Sequence, residues 1–301
     1  MHGWIILDKP VGLGSTQAVS AVKRALRQGG YGKAKVGHGG TLDPLASGVL
    51  PVAIGEATKL AGRMLDSDKV YDFSIGFGEE TDTLDAEGKV VATSDMRPTL
   101  ADIEAVLPRF TGPIERVPPA YSALKVDGER AYDLARAGED VKLATRAVTV
   151  HSLIVAPASA GAPVDAITLT AHVSKGTYIR SLARDIARAL GTVGHVTHLH
   201  RTKAGPFDLS HAISLDKLAE TANARGLEQI LLPLRAGLDD IPALSLDPDQ
   251  AGALRQGRVL VGIARDAHSK GGLHFAMLGE TPVALVEVES GEARIVRGFN
   301  C

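Results

Sequence analysis

The sequence predicts an α+β fold with a mixed, largely antiparallel sheet flanked by helices. Residues 15–28 and 177–190 place their apolar side chains on one face, in the period of an amphipathic helix. Residues 70–76 alternate apolar and polar, which is typical of a half-buried strand. Residues 148–155 and 166–173 are two further strands around a turn rich in Pro, Gly and Ala, which indicates antiparallel pairing.

Shorter elements complete this pattern. Residues 4–7 form a buried strand that leads into the turn Asp8-Lys9-Pro10, and Ser15 is the expected N-cap of the first helix. Residues 50–54 are another strand. Thr99 opens a helix, with Asp102 three residues later in the arrangement of a capping box.

The pattern changes near residue 241. A segment punctuated by prolines is followed by a short helix near residues 249–255 and by short strands through residue 296. We therefore expect two units, a main domain over residues 1–240 and a small β-rich module over residues 241–301.

Composition indicates an ordinary globular chain. With 301 residues, 45% hydrophobic and 23% charged, it can bury a sizeable core. The single cysteine, Cys301, excludes an internal disulfide framework and favours a reducing compartment, so we expect a cytoplasmic protein. No apolar stretch approaches the length that spans a bilayer, so no membrane partner is expected. We expect a monomer.

Charge is segregated along the chain although the net charge is only −2. Residues 9–42 contain no acid, residues 172–207 contain only Asp185, and acids gather at 79–87 and 239–249. The two acid-poor segments hold the following cations: Lys9, Lys23, Arg24, Arg27, Lys33, Lys35, Lys175, Arg180, Arg184, Arg188, Arg201 and Lys203. This distribution favours a groove for a polyanion, and two merely solvated faces are the alternative.

The central stretch, GHGGTLDPLASGVLP at residues 37–51, has a single acid, Asp43. Pro44 restricts Asp43 to an extended conformation, and leucines and a valine flank it. A carboxylate on such a half-buried loop is costly to desolvate unless it is paired or used. A turn aspartate bonded to its own backbone is the simpler alternative. The glycines and His38 nearby favour a functional site.

This stretch resembles the signature of the TruB family of tRNA pseudouridine synthases. Four more family blocks follow the family's order: LDKP at 7–10, DSDKVY at 66–71, YSALK at 121–125 and SKGTYIRSL at 174–182. The blocks span about the first two thirds of the chain. Gly39 stands where the family usually has Thr.

The resemblance implies an enzyme that isomerises uridine at position 55, in the T arm of tRNA, to pseudouridine. Asp43 matches the catalytic aspartate, and its route is left open among attack at C1′, addition to the base and removal of a ribose proton. Tyr71 matches the tyrosine that stacks on the target base and acts as a general base. Arg180 matches the arginine that pairs with the aspartate. His38 matches the residue that fills the gap left by the flipped-out base.

The resemblance also implies a wider binding surface and the fold. The second group of expected RNA or pocket contacts, for which fold support is the alternative role, comprises Lys9, Tyr121, Lys125, Lys175 and Tyr178. Lys23 and Arg24 are expected to contact tRNA because they point outward from the first helix in an acid-poor segment. The fold is expected to be that of a pseudouridine synthase, and the position and size of residues 241–301 resemble a PUA domain, a small RNA-binding barrel.

No metal and no cofactor are expected. The isomerisation adds and removes nothing, and the spacing of His195, His198, His200 and Cys301 fits no standard zinc pattern. Nor does the spacing of Asp82 and Asp85 fit a calcium loop, so we expect them to be solvated.

Two other functions stay open on the sequence. One is a non-catalytic tRNA-binding or RNA-folding factor that uses the same surface. The other is a glycoside or nucleoside hydrolase, which requires a second acid across the scissile bond, and none is evident near Asp43.

Overall fold

The computed structural model describes residues 1–122, 125–126, 129–137, 143–156, 163–263 and 271–301. The strands of this part are β1 (Gly3–Lys9), β2 (Val36–His38), β3 (Ser47–Ile54), β4 (Lys69–Phe77), β5 (Glu79–Thr81), β6 (Val90–Thr93), β7 (Gly112–Arg116), β8 (Lys125–Val126), β9 (Glu129–Arg130), β10 (Arg146–Val155), β11 (Ala166–Val173), β12 (Gly194–Ala204), β13 (Phe207–Asp208), β14 (Leu232–Pro233), β15 (Ala243–Ser245), β16 (Leu260–Val261), β17 (Gly272–Leu278), β18 (Thr281–Glu289) and β19 (Glu292–Gly298). The α-helices are α1 (Ser15–Gln28), α2 (Ala61–Asp66), α3 (Leu100–Val106), α4 (Ala131–Arg136), α5 (Ile179–Ala189), α6 (Leu215–Asn223) and α7 (Pro248–Arg255).

The large sheet has ten strands in the order β14-β1-β3-β12-β4-β11-β10-β7, with β2 added on β3 and β13 on β12. Within it, β3 and β12 run parallel and the other neighbouring strands of this sheet are antiparallel. The sheet is therefore mixed and largely antiparallel, which confirms the predicted fold class. Its central strands β12, β4 and β11 join residues far apart in the chain.

The two faces of this sheet are covered differently. On one face α1, α3, α5 and α6 pack against the apolar side chains of the central strands, as Phe73 and Ile75 of β4 do. α5 buries Leu182 and Ile186 there because apolar residues recur at helical spacing. On the other face, Trp4 belongs to a second apolar cluster that is shared with the C-terminal strands.

The C-terminal strands form a separate five-stranded sheet in the order β15-β17-β18-β19-β16. Its strand β15 begins at Ala243, and α7 packs Ala251 and Leu254 into the small core beneath it. This is the C-terminal β-rich sheet that the sequence predicts. Within the described part of the chain, every helix is too short or too polar to traverse a bilayer.

The N-caps of α3 and α1 test two predictions made from the sequence. Thr99 accepts a hydrogen bond from the Asp102 amide, and Asp102 accepts one from the Thr99 amide, so the capping box is confirmed. Ser15 is not a cap as predicted. Gly14 occupies the N-cap position of α1, and the Ser15 hydroxyl bonds to the backbone of Leu42 instead.

Candidate active site

Asp43 lies at the open end of a buried ionic network. Nη2 of Arg180 is 2.9 Å from Oδ2 of Asp43, and Nη1 is 3.3 Å from Oδ2 of Asp85. The Asp43 side chain is 40% exposed, whereas those of Arg180 and Asp85 are 7% and 4% exposed. One carboxylate is thus presented to solvent while its partners stay inside the protein.

Arg180 suits this position because a guanidinium is planar and offers several donors in a fixed fork. It also donates to the carbonyl oxygens of Thr83 and Tyr121, each at 2.9 Å. The residue stands in the first turn of α5, whose burial against the large sheet fixes the backbone from which the side chain extends. Its positive charge attracts the Asp43 carboxylate and holds it in one orientation.

Asp85 corrects a prediction from the sequence, because it is buried and not solvated. Its Oδ1 accepts hydrogen bonds from the Thr83 hydroxyl at 2.6 Å and from the Glu87 amide at 3.1 Å. The segment is held against β12, since the Val196 amide donates to the Leu84 carbonyl. The sequence contains no signal that distinguishes Asp85 from the other acids of residues 79–87.

The presence of Asp85 bears on the hydrolase alternative. A second acid does lie near Asp43, which the sequence did not reveal, but the Arg180 guanidinium separates the two carboxylates. Burial, followed by the charges of Asp85 and Asp43, raises the pKa of Glu87, which favours its protonated form beside this network. A hydrolase pair faces an open gap, and Asp85 has no such access.

Arg201, which is only 1% exposed, supports the loop that carries Asp43. Its guanidinium donates to the carbonyl oxygens of Val49 at 2.8 Å, Gly40 at 3.2 Å and Thr41 at 3.3 Å. Gly48 permits the backbone of Arg201 to lie close to β3, because the φ of Gly48 is +98° and a Cβ there would lie 2.3 Å from the Arg201 carbonyl oxygen. Sequence reasoning counted Arg201 only as one cation of a polyanion surface.

Lys9 is a second internal support. It is fully buried, and its Nζ donates to the carbonyl oxygens of Leu13 at 2.6 Å, Pro10 at 2.9 Å and Pro44 at 3.4 Å. Burial lowers the pKa of this amine to about 8, against the opposing influence of Asp43. Of the two roles left open for Lys9, the geometry favours fold support over phosphate contact.

Two tyrosines predicted at the site lie on elements adjoining Arg180. Tyr71 is half-buried on β4, where its backbone pairs with Ala171 and Arg201, and its ring packs against the cluster that α5 covers. Tyr178 immediately precedes α5, and burial raises the pKa of its hydroxyl. The ring of Tyr71 therefore extends from a strand, and that of Tyr178 from the N-cap of a helix.

His38, which is expected to fill the gap left by the flipped-out base, is only partly accessible. It ends the short strand β2, is half-buried, and its Nδ1 is buried without a hydrogen-bond partner among the described residues. Burial, followed by the charge of Arg201, lowers its pKa, so the imidazole is neutral at pH 7. An uncharged ring is the form that packs against a base without a desolvation penalty.

The structure explains why glycine is compatible with position 39, where the resembling family usually has threonine. A Cβ on Gly39 would lie 2.5 Å from Cβ of Met64. Real Cβ atoms essentially never approach so closely. Met64 of α2 therefore packs directly on the loop backbone, in space that a side chain at 39 would need.

The remaining predicted contacts are more dispersed. Lys175 is exposed and pairs with Asp66 at 3.0 Å. Tyr121 is half-buried, and its carbonyl oxygen accepts a hydrogen bond from Arg180. Lys23 and Arg24 are exposed on α1. The side chain of Lys125 lies outside the described residues.

The two acid-poor segments differ in how free their cations are. Arg184 pairs with Asp185, and Arg188 pairs with Glu80, so the arginine stripe of α5 is largely engaged within the protein. Among the described residues, no ion pair involves the three outward cations of α1, which are Lys23, Arg24 and Arg27. α1 thus keeps the stronger positive surface.

Two family models together match residues 27–239. The model of the "TruB family pseudouridylate synthase (N terminal domain)" matches residues 27–179, and that of the "tRNA pseudouridylate synthase B C-terminal domain" matches residues 180–239. The boundary falls just before Arg180, so the ion pair with Asp43 joins the two matched regions.

Relatives resemble the chain over its full length. The tRNA pseudouridine synthase B of Novosphingobium aromaticivorans is 66% identical, with 100% of this chain and 98% of the relative covered. The protein of the same name from Zymomonas mobilis is 61% identical, with 100% and 96% covered.

A solved structure, the crystal structure of a Cbf5-Nop10-Gar1 complex, contains a chain of similar fold. Its TM-score is 0.74 at 26% identity, with 99% of this chain and 84% of that chain covered. Together with the matched family models, these likenesses show that the chain belongs to the TruB family of pseudouridylate synthases.

Proposed function

We propose that this protein converts uridine to pseudouridine at position 55 in the T arm of tRNA, with Asp43 as the catalytic carboxylate. The observation that carries the proposal is the half-exposed Asp43 carboxylate held at 2.9 Å by the buried Arg180. The relatives named tRNA pseudouridine synthase B support tRNA as the substrate.

The reaction needs few chemical groups. The N1–C1′ bond of the nucleoside breaks, the uracil turns, C5 bonds to C1′, the C5 proton leaves and N1 gains a proton, so atoms balance without a cofactor. One carboxylate serves any of three routes: attack at C1′, addition to the base, or removal of a ribose proton. In each route Arg180 keeps Asp43 aimed at the nucleoside.

The surrounding residues then take distinct roles. Tyr71 stacks on the extruded uracil and accepts the C5 proton. His38 fills the space that the base leaves in the RNA stack, which reduces the cost of extrusion. Tyr178 and Tyr121 line the pocket beside Arg180, while Lys125 and Lys175 contact phosphates at its rim.

The tRNA binds over two areas in this proposal. Lys23 and Arg24 of α1 contact the phosphate backbone of the T arm. The C-terminal sheet, within residues 241–301, acts as a PUA-like module that contacts RNA away from the target base. The protein acts as a monomer in the cytoplasm.

The test replaces one atom of the carboxylate. Asp43→Asn should abolish pseudouridine formation, measured by tritium release from tRNA labelled at uridine C5, while tRNA affinity stays within a small factor of wild type. Asp82→Asn, an exposed acid of the 79–87 segment, serves as the matched control and should retain full activity.

The outcomes also separate the alternatives. Normal turnover by Asp43→Asn would remove Asp43 from the mechanism. Wild-type protein that binds tRNA without forming pseudouridine would indicate a binding factor, and release of free uracil would indicate a hydrolase.

A further inference from the structure

A cluster of two histidines and one aspartate lies apart from the network around Arg180. Nε2 of His151 is 3.0 Å from Oδ2 of Asp68, and Nε2 of His172 is 3.7 Å from the same oxygen. One ligand atom from each residue lies within 4.8 Å of the other two. The ring centroids of the two histidines are 4.6 Å apart.

A β-bulge brings the two histidines together. β10 pairs with β11 through Val150 with Val173 and then through Ser152 with His172, so His151 is the extra residue of the bulge. A bulge redirects the side chain of its extra residue. Because of it, His151 projects beside His172 on the neighbouring strand.

The backbone of Asp68, the third residue of the cluster, is also held by a hydrogen bond. The Asp68 carbonyl accepts a hydrogen bond from the Gly205 amide, which fixes the backbone just before β4. His172 lies in the ladder between β10 and β4. All three side chains therefore extend from ordered backbone, and the arrangement is available before any ligand arrives.

We propose that Asp68, His151 and His172 bind one divalent metal ion of the zinc class. Zn²⁺ takes imidazole nitrogen and carboxylate oxygen at about 2.0–2.1 Å, so two ligands of a tetrahedral site lie about 3.4 Å apart. The two distances to Asp68 lie on either side of that value. Small rotamer shifts suffice to close the site.

The ligand set agrees with that class of ion. Imidazole together with a carboxylate suits zinc, copper, nickel and iron, whereas calcium and magnesium prefer oxygen ligands. Three protein ligands leave a fourth position for water. All three side chains are between 37% and 47% exposed, so an ion has a direct path from solvent.

Neighbouring cations do not occupy the cluster. The Lys69 amine is turned inward and donates to the carbonyl oxygens of Met64 and Leu65, and Lys175 pairs with Asp66. Both imidazoles lie within 3.7 Å of Oδ2 of Asp68. One metal ion would bind both rings as neutral ligands.

The ion would join three separate stretches of chain. Asp68 precedes Tyr71 by three residues, and His172 pairs with Val70, the residue before Tyr71. Metal binding there therefore clamps the start of β4 to β11 and to the bulge of β10. Its role is to hold these strands, and it takes no part in the chemistry at Asp43. The expectation of no metal rested on other histidines and is revised at this position.

The experiment titrates untagged, chelator-treated full-length protein with CoCl₂ and follows the visible absorption of tetrahedral Co²⁺. We expect saturation at one equivalent, loss of the band on addition of ZnCl₂, and a higher melting temperature with either metal. Asp68→Asn and His172→Asn should each weaken Co²⁺ binding by about tenfold or more.

A matched control uses His198→Asn, which removes an exposed histidine from the same sheet without touching the cluster. That variant should bind Co²⁺ as wild type does. Near-UV circular dichroism of each variant checks that the fold is intact. No tetrahedral Co²⁺ band in wild-type protein, or equal Co²⁺ affinity in wild type and the Asp68 and His172 variants, would overturn the proposal.

Discussion

At the scale of single residues, the site depends on how the hydrogen-bond donors of Arg180 are divided between two carboxylates and nearby carbonyl oxygens. The guanidinium faces an exposed carboxylate at Asp43 and a buried one at Asp85, and carbonyl oxygens take its other donors. A buried ionic network is sensitive to the loss of one member, since the remaining charge is then left without compensation. Asp85 thereby helps to fix the orientation of the arginine that holds Asp43.

Asp85→Asn should lower the rate of pseudouridine formation by about 100-fold, because a small displacement of a positioned catalytic group has an effect of this size. Single-turnover kinetics with saturating protein measure the chemical step, and tRNA affinity should be unchanged. Unaltered single-turnover rates would show that Arg180 needs only Asp43. Asp82→Asn is again the control.

Burial of Lys69 makes the free energy of unfolding depend on pH above neutrality. Burial, followed by the charge of Arg201, lowers the pKa of Lys69 to about 8 from its ordinary value of 10.5. Between these values the unfolded chain holds this proton and the folded chain releases it. Because the unfolded state then binds more protons, the contribution of Lys69 to the free energy of unfolding increases as the pH rises.

Lys69→Met removes this contribution. Relative to the variant, wild-type protein should gain about 1.5 kcal/mol of unfolding free energy between pH 8 and pH 9.5, since one pH unit corresponds to about 1.4 kcal/mol per proton. Urea unfolding at the two pH values measures the difference. A pH-independent difference between wild type and variant would contradict the shifted pKa. Lys203→Met, at an exposed lysine of β12, is the control.

At the scale of elements, α1 combines two functions on opposite faces. Its inner face packs Ala18 and Val22 into the core, and Ser15 at its start bonds to both backbone groups of Leu42. The helix therefore positions the loop that carries Asp43 as well as presenting cations outward. The loop itself is fixed from the other side by Arg201, whose three carbonyl acceptors span residues 40–49.

The triple replacement Lys23→Gln, Arg24→Gln and Arg27→Gln should weaken tRNA binding and flatten its salt dependence. Each lost phosphate contact reduces the slope of log affinity against log salt by about 0.7–0.9. Filter binding across a salt series measures this slope. An unchanged slope would place the RNA on another face. The double variant Lys89→Gln and Arg109→Gln, at exposed cations outside the acid-poor segments, should leave the slope as in wild type.

At the scale of the whole molecule, the two sheets share one apolar cluster. Trp4 of β1 and Phe207 of β13 lie in the same cluster as Phe275 and Phe299 from the C-terminal part, and the last two rings meet edge to face. Lys59 also donates to the carbonyl oxygen of Gly298. The C-terminal sheet is therefore packed onto the back of the large sheet, on the side away from α5.

Phe275→Ala should lower the free energy of unfolding by about 3–5 kcal/mol, as expected for deleting a buried aromatic ring. Urea unfolding followed by fluorescence is informative because Trp4 is the only tryptophan and lies in the shared cluster. Val261→Ala, at a largely exposed position of β16, should cost little. A loss below about 1 kcal/mol for Phe275→Ala would show that the shared cluster contributes little to stability.

The sequence by itself determined the fold class, the family and many of the longer elements. Periodicity and turn signals locate α1, α5, β4, β10 and β11, and the capping box locates α3, because these signals depend on residues a few positions apart. The lone acid between glycines and Pro44 identified Asp43 for a related reason, since desolvation of a carboxylate can be judged from its immediate neighbours.

Only the tertiary structure decided which distant side chains meet. In the folded protein Asp85 is buried against Arg180, Lys9 and Arg201 point inward and support the loop that carries Asp43, and a bulge brings His151 beside His172. These contacts follow from the order and register of strands that are remote in the chain. Local periodicity contains no information on that register, because one extra residue in a strand redirects the side chains that follow it.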